Sequence, residues 1–267
     1  MTILPTGAAA KFLGKLHQDA HAADAACMAS IMADWDAAGL TIGQTNIGAV
    51  VVACEDMGAG FRLLTLESAA LKGVRWTAGQ KIQIATGSPS VTRTYTPIEW
   101  NTKAGRFCIL GYAHGDGPGS NWLRTLSTGD ECYLFGPCAS LDVSDTASPL
   151  ALFGDETSMG LAYALTYQYP ERPVTCQFEV DKVAGCEKVM TQIGLCNATL
   201  VRRRSSDAHL DEMEAALTGC VSIATTFVLT GKTSTVQRLR QRLKLWDVPA
   251  HRIIAKAYWA PGRTDLV

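Results

Sequence analysis

The strongest constraint on the fold is a change of sequence texture near residue 145. Upstream of it, short β-prone runs alternate with turn residues. Ile47–Cys54, Phe61–Glu67, Lys81–Thr86, Val91–Tyr95, Phe107–Tyr112 and Glu131–Phe135 read as strands. Asp56-Met57-Gly58, Ala78-Gly79 and Thr128-Gly129-Asp130 punctuate them. Short strands at this spacing predict an antiparallel barrel. Downstream of Pro149 the pattern alternates between strand and helix. Leu150–Phe153, Val174–Glu179, Ala198–Val201 and Ser222–Leu229 read as strands. Met159–Tyr169, Leu210–Leu217 and Ser234–Trp246 read as helices. Alternation of that kind predicts an α/β unit on a parallel sheet. The expected organisation is a helical extension over 1–45, a barrel over 46–145 and an α/β domain over 146–267. Ser144–Pro149 is polar and small, and reads as the linker. In the extension, Met28, Ile31, Met32 and Trp35 share one helix face and Gly39 supplies a stop, the pattern of a packing or oligomerising helix.

Composition narrows the partners. The net charge is −1, so no broad positive field draws nucleic acid. No apolar run approaches the roughly 20 residues of a membrane span, and residues 1–20 lack a signal-peptide core. Nine cysteines occur without a C-x-x-C spacing. Cys54, Cys108 and Cys176 sit in apolar runs, as small hydrophobes of a reducing, cytoplasmic protein do. The five histidines lie beside no paired cysteines, so no metal site is expected.

Six short motifs carry chemistry. Arg93-Thr94-Tyr95-Thr96 ends a strand, and alternation puts Arg93 and Tyr95 on one face, Thr94 and Thr96 on the other. A guanidinium beside a flat ring suits a ligand with both phosphate and a planar ring system, though such a pair also decorates ordinary surfaces. Gly115-Asp116-Gly117-Pro118-Gly119-Ser120 precedes a helix start, with Ser120 as the candidate N-cap. It is either an anion cradle of free N–H groups or a plain tight turn. Gly154-Asp155-Glu156-Thr157-Ser158 follows a buried strand, where open α/β sheets place nucleotide phosphates, although its two acids oppose one. Thr230-Gly231-Lys232-Thr233-Ser234 also joins strand to helix, but lacks the upstream glycine of an ATPase loop. Tyr258-Trp259 could cap a planar ligand or simply pack as core and rim. Arg202-Arg203-Arg204 at a strand end is either a solvated charge run or a seat for the 2′-phosphate of NADPH.

The order of these motifs is that of the ferredoxin-reductase superfamily. Within it the chain resembles the siderophore-interacting proteins, FAD-containing ferric-siderophore reductases. The resemblance rests on Arg93–Thr96, on His114 through Trp122, on Gly129-Asp130, Gly136-Pro137, Gly154–Thr157 and Tyr258–Gly262, and spans about Ile47 to Gly262. It implies an FAD-binding barrel followed by an NAD(P)H-binding α/β domain. Arg93 would hold FAD phosphates, with Thr94 in the same motif, and Tyr95 would pack on the flavin. Thr96 would lie near flavin N5, and Thr96 and Trp259 are the catalytic candidates. His114, Gly117, Gly119, Ser120 and Asn121 belong to the second flavin motif. Gly154, Asp155, Glu156 and Thr157 would line the NAD(P)H pyrophosphate, Thr230 and Gly231 the nicotinamide approach, and Tyr258 and Trp259 the flavin's other side; Arg202 and Arg203 are kept as nucleotide-binding candidates from the arginine run alone.

The sequence departs from the family at three places. Pro97-Ile98 follows Thr96 where a second Arg is common, Ala260 follows Tyr-Trp where Arg is common, and Gly160 replaces a Pro. Lys72, Arg75, Arg106 and Arg124 are candidate replacements for the missing charge. The implied activity is reduction of ferric siderophores or other ferric chelates with NADPH or NADH, releasing Fe(II). The alternatives are a flavin reductase that feeds a partner protein or small acceptor, and a flavin-binding module without turnover. A monomer and a homodimer are both compatible with the sequence.

Overall fold

The computed structural model describes residues 47–86, 88–143, 148–221 and 224–262, with nothing described for the side chains of residues 88–90. The expected N-terminal helix lies outside these residues.

The first sheet contains β1 (Ile47–Gly58), β2 (Phe61–Glu67), β3 (Lys81–Thr86), β4 (Ser88–Tyr95), β5 (Pro97–Asn101), β6 (Arg106–Tyr112) and β7 (Glu131–Cys138). Its order is β4-β3-β7-β1-β2-β6-β5, and every pairing is antiparallel. The two outermost strands are neighbours in sequence, joined by the single residue Thr96. A flat sheet would set its edges some 30 Å apart at about 4.8 Å per strand step. One residue spans under 4 Å, so the sheet curls until its edges meet at Thr96. Val51, Leu64, Leu66, Ile82, Ile84, Phe107, Ile109 and Leu134 fill the interior. Helix α1 (Pro118–Thr125) covers one end between β6 and β7.

The second sheet contains β8 (Leu150–Asp155), β9 (Val174–Val180), β10 (Ala198–Arg202), β11 (Thr226–Lys232) and β12 (Ile253–Trp259). All pairings are parallel, in the order β10-β9-β8-β11-β12. Helices α2 (Met159–Gln168), α3 (Val183–Ile193), α4 (His209–Cys220) and α5 (Thr233–Leu245) alternate with the strands. Leu150 and Leu152 of β8 pack with Leu161, Leu165, Val189 and Met190, while Ala151 and Phe153 face Leu210, Met213, Val236 and Leu239. Both faces are therefore covered, which explains the unbroken apolar run of β8. The order reverses between β8 and β11, making their carboxyl ends a topological switch point.

The two sheets share a core. Met57 and Phe61 of the barrel belong to the same buried cluster as Leu161 and Leu165 of α2. Among the described residues, no helix is long and apolar enough to cross a membrane, and the eight cysteines form no disulfide.

Some elements differ from expectation. β5 carries no strand signal in the sequence because it opens on Pro97, which cannot donate to a ladder. As an outermost strand it tolerates that loss. Ser120 is not the N-cap of α1: Gly117 is, with Pro118 in the first turn, and the Ser120 hydroxyl instead donates to the His114 carbonyl at 2.6 Å. The strand expected from Ser222 begins at Thr226.

Candidate functional site

A cavity of about 350 Å³ lies where the barrel meets the parallel sheet. The barrel supplies Arg93, Thr94, Tyr95, Thr96, His114, Gly117, Gly119 and Ser120 to its lining. The α/β side supplies Thr157, Tyr258 and Trp259. Lys81, Lys256, Ala260 and Pro261 also border it, and no motif had singled out the two lysines. Lys81 is fully buried. The signal for it was a lysine opening a strand of otherwise apolar alternation.

The strand alternation around Arg93 holds. Arg93 packs on α1, where a Cβ on Gly119 would come within 2.7 Å of the Arg93 Cγ. Tyr95 meets Trp122 of the same helix at 5.8 Å between ring centroids. Glycine at 119 is what lets the helix start approach the guanidinium stem. Arg93 also donates to the Thr92 carbonyl at 2.7 Å. Burial raises the Tyr95 phenol above its ordinary range, against the pull of Arg93, so the ring is neutral. On the other strand face, Thr94 Oγ1 is buried without a hydrogen-bond partner. A buried orphan hydroxyl costs about 1–3 kcal/mol, which a ligand atom would relieve.

Opposite stands an aromatic row. Tyr112, His114 and Trp259 follow one another at 5.9 and 5.1 Å between centroids. Burial holds the His114 imidazole below its ordinary pKa and favours its neutral form. The Tyr258 hydroxyl faces the Thr96 and Thr230 hydroxyls, where the barrel seam meets β11. Burial keeps that phenol protonated.

Behind this wall is the switch point. Asp155 is fully buried at the end of β8. Its carboxylate accepts from Thr157 N at 2.9 Å, the Thr157 hydroxyl at 2.5 Å, Lys232 N at 2.8 Å and Trp259 Nε1 at 2.7 Å. Burial raises its pKa to about 6. Glu156 accepts from Asp181 N at 2.7 Å and pairs with Arg203 at 2.8 Å. Arg203 also pairs with Glu179 and Asp181. Burial works against its charge, but the three carboxylates carry it above its ordinary pKa. Glu179 further accepts from Thr235 and from His209 Nε2, each at 2.6 Å. The Arg204 amide donates to His209 Nδ1, which places the ring proton on Nε2.

The structure thus gathers part of the expected set. Gly154, Asp155, Glu156, Thr230, Gly231, Arg202, Arg203 and Asn121 do not line the cavity. Asn121 instead spans the Asp116 carbonyl and Arg124. Arg203 is spent on carboxylates, Arg204 pairs with Glu212, and Arg202 stands exposed at the end of β10. Within the Gly154–Thr157 loop, the amide and hydroxyl of Thr157 are turned onto Asp155 itself, and the Asp155 amide donates to the Ser158 hydroxyl. Of the four candidate replacement cations, none borders the cavity.

The barrel wall has a counterpart among known families. Residues 55–141 match the siderophore-interacting FAD-binding domain. The match covers β2 to β7 and the Arg93–Thr96 and His114–Asn121 motifs, so the resemblance drawn from those motifs is borne out. Comparison with curated protein sequences gives no match. Solved structures share the fold. A siderophore utilization protein from T. fusca is 20% identical, with 83% of this chain and 95% of that one covered at a TM-score of 0.71. The siderophore-interacting protein of Aeromonas hydrophila is 20% identical over 82% and 94% of the two chains, TM-score 0.63. A phthalate dioxygenase reductase is 12% identical over 82% and 70%, TM-score 0.68.

Proposed function

We propose that the chain is an FAD-dependent NAD(P)H oxidoreductase that reduces ferric siderophores or other ferric chelates. The cavity carries this reading. It offers a cation, a helix start without a side-chain cap, a flat phenol and an unpartnered buried hydroxyl from the barrel side. That donor set fits a ligand combining phosphates with a planar heterocycle. Arg93 and the first turn of α1 would bind FAD phosphates, and Tyr95 would pack on the ring system. Thr94 and Thr96 would orient the heterocycle's polar edge. Bound FAD supplies a hydride acceptor that also donates single electrons. His114, Tyr112 and Trp259 wall the cavity with a row of ring faces. No side chain has to move a proton, which agrees with the neutral Tyr95 and Tyr258. On the nucleotide side, the crevice beside β8 and β11 is where a parallel sheet of this order binds dinucleotides, and Arg202 is the arginine of its run left to meet a 2′-phosphate.

The test is the visible spectrum of the purified protein reconstituted with FAD, before and after NADPH. Flavin absorbance that bleaches on NADPH, followed by Fe(II) trapped from a ferric siderophore, supports the reading. A protein that cannot be loaded with FAD refutes it, and full loading without bleaching reduces it to a flavin-binding module. A second reading, electron delivery to a partner protein, draws on the missing arginines at Pro97 and Ala260. The phthalate dioxygenase reductase that shares the fold is described as transferring electrons from pyridine nucleotides to [2Fe-2S]. Steady-state comparison of ferric chelates with iron–sulfur acceptors separates the two.

A further inference from the structure

The Asp155 carboxylate divides its labour between its two oxygens. Oδ1 serves its own turn, accepting from the amide and hydroxyl of Thr157. Oδ2 faces outward and accepts from the Lys232 amide and the Trp259 indole. The first contact caps a local 3-10 turn. The second reaches a residue 104 positions away at the end of β12, whose ring borders the cavity.

Trp259 has few other restraints. Its carbonyl accepts from Thr233, which fixes the backbone but not the ring. The ring meets His114 in a tilted contact at 5.1 Å, and such contacts tolerate sliding. The directional restraint on the indole is the 2.7 Å bond to Oδ2.

We propose that Asp155 is the positioning residue for Trp259, using one carboxylate oxygen to lock the ring against the cavity from the nucleotide crevice. Gly231 completes the arrangement. Its φ is +98°, and a Cβ there would lie 2.5 Å from Oδ2, so the crevice floor is shaped around this carboxylate. The fully buried carboxylate ionises less readily than usual, and the indole and amide donors offset part of that cost. The charged and titratable groups around it are Glu156 on its own turn, Tyr258 on β12 and Lys232 on β11, whose ammonium lies 3.6 Å from Asp207; on the other side of the indole, the His114 imidazole lies 5.1 Å from the Trp259 ring. The consequence for nucleotide turnover rests on the flavin reading; the lock itself does not.

Asparagine separates the two oxygens. It can keep Oδ1 as acceptor for Thr157, but then turns an NH2 toward two N–H donors. The test follows the indole Nε1–H resonance of Trp259 in the flavin-free protein, identified by its loss in Trp259→Phe. With His114 replaced by Gln (His114→Gln), so that no imidazole titrates beside the ring, it should titrate with a midpoint near pH 6. In Asp155→Asn on that background it should move upfield and lose that response. An unchanged resonance in Asp155→Asn overturns the proposal. If that variant does not fold, the His114→Gln protein decides: an indole signal that stays flat from about pH 4 to 8, a range that brackets the raised carboxylate, overturns it equally. In the FAD-loaded protein, Asp155→Asn and Trp259→Phe should each lower kcat/KM for NAD(P)H about tenfold, and the double variant no further. Additive losses would refute the coupling. Failure to bind FAD would sink the flavin reading while leaving the indole titration to stand or fall alone.

Discussion

Replacing Gly231 with alanine strains the molecule in two separable ways. A left-handed φ of +98° is poorly accessible to an L side chain, at a cost of about 1–2 kcal/mol. The new methyl would also lie 2.5–2.9 Å from three atoms of the Asp155 carboxyl group, which is pinned by four donors and cannot swing away. Overpacking of that kind costs about 1–3 kcal/mol. Together they give about 2–5 kcal/mol, a large share of a typical domain's stability. Two glycines isolate the contributions. Gly129 has φ +96° but open space around its Cβ position, so its alanine variant should show the strain alone. Gly48 has neither strain nor crowding, and its variant should be neutral or better. Urea denaturation followed by far-UV circular dichroism gives the three differences. Equal losses at Gly231 and Gly129 would refute the claim that the carboxylate fills the crevice.

Other predictions concern charge. Arg93→Ala should weaken FAD binding about 10- to 100-fold in a fluorescence titration, the loss of one charge-assisted phosphate contact, while leaving far-UV dichroism unchanged. Arg203→Ala strips the counter-charge from buried Glu156 and Glu179 and should cost about 3–5 kcal/mol in urea, without altering the NADPH-to-NADH preference. Arg202→Ala should do the opposite, sparing stability and lowering kcat/KM for NADPH alone. The Asp155 pKa of about 6 exceeds its unfolded value of 3.8, so the folded state binds the extra proton between these limits. Its contribution to stability is therefore full below about pH 4 and falls by about 3 kcal/mol as pH rises through 6. The difference in stability between parent and Asp155→Asn, measured by urea from pH 4 to 7, should show that slope.

Local patterns revealed the barrel strands and the βα alternation because periodicity is a property of neighbours in sequence. Arg93, Tyr95 and Trp259 were legible for the same reason: each sits on a strand whose alternation fixes which way it faces. What escaped is non-local. Arg203 resembles Arg202 in sequence, and only folding brings Glu156, Glu179 and Asp181 from the ends of two strands to consume its charge. Asp155 and Glu156 read as poor company for a phosphate, which was sound physics. Their actual partners, Trp259 and Arg203, lie 104 and 47 residues away. Helix α3 went unnamed because Lys182 gives it no side-chain cap and Gly185 interrupts its face.

The single-residue seam at Thr96 has a mechanical meaning. The barrel's two free edges are stitched together by one peptide unit that also lines the cavity. Lengthening the chain there would let the edges part and expose two unpaired strands, an invitation to edge-to-edge aggregation. The position is thus closed to insertions that other loops of the barrel would absorb. A molecule seated against Thr96 acts as a clasp: it rests on the stitch that keeps the cylinder shut, so occupancy and closure draw on the same few atoms.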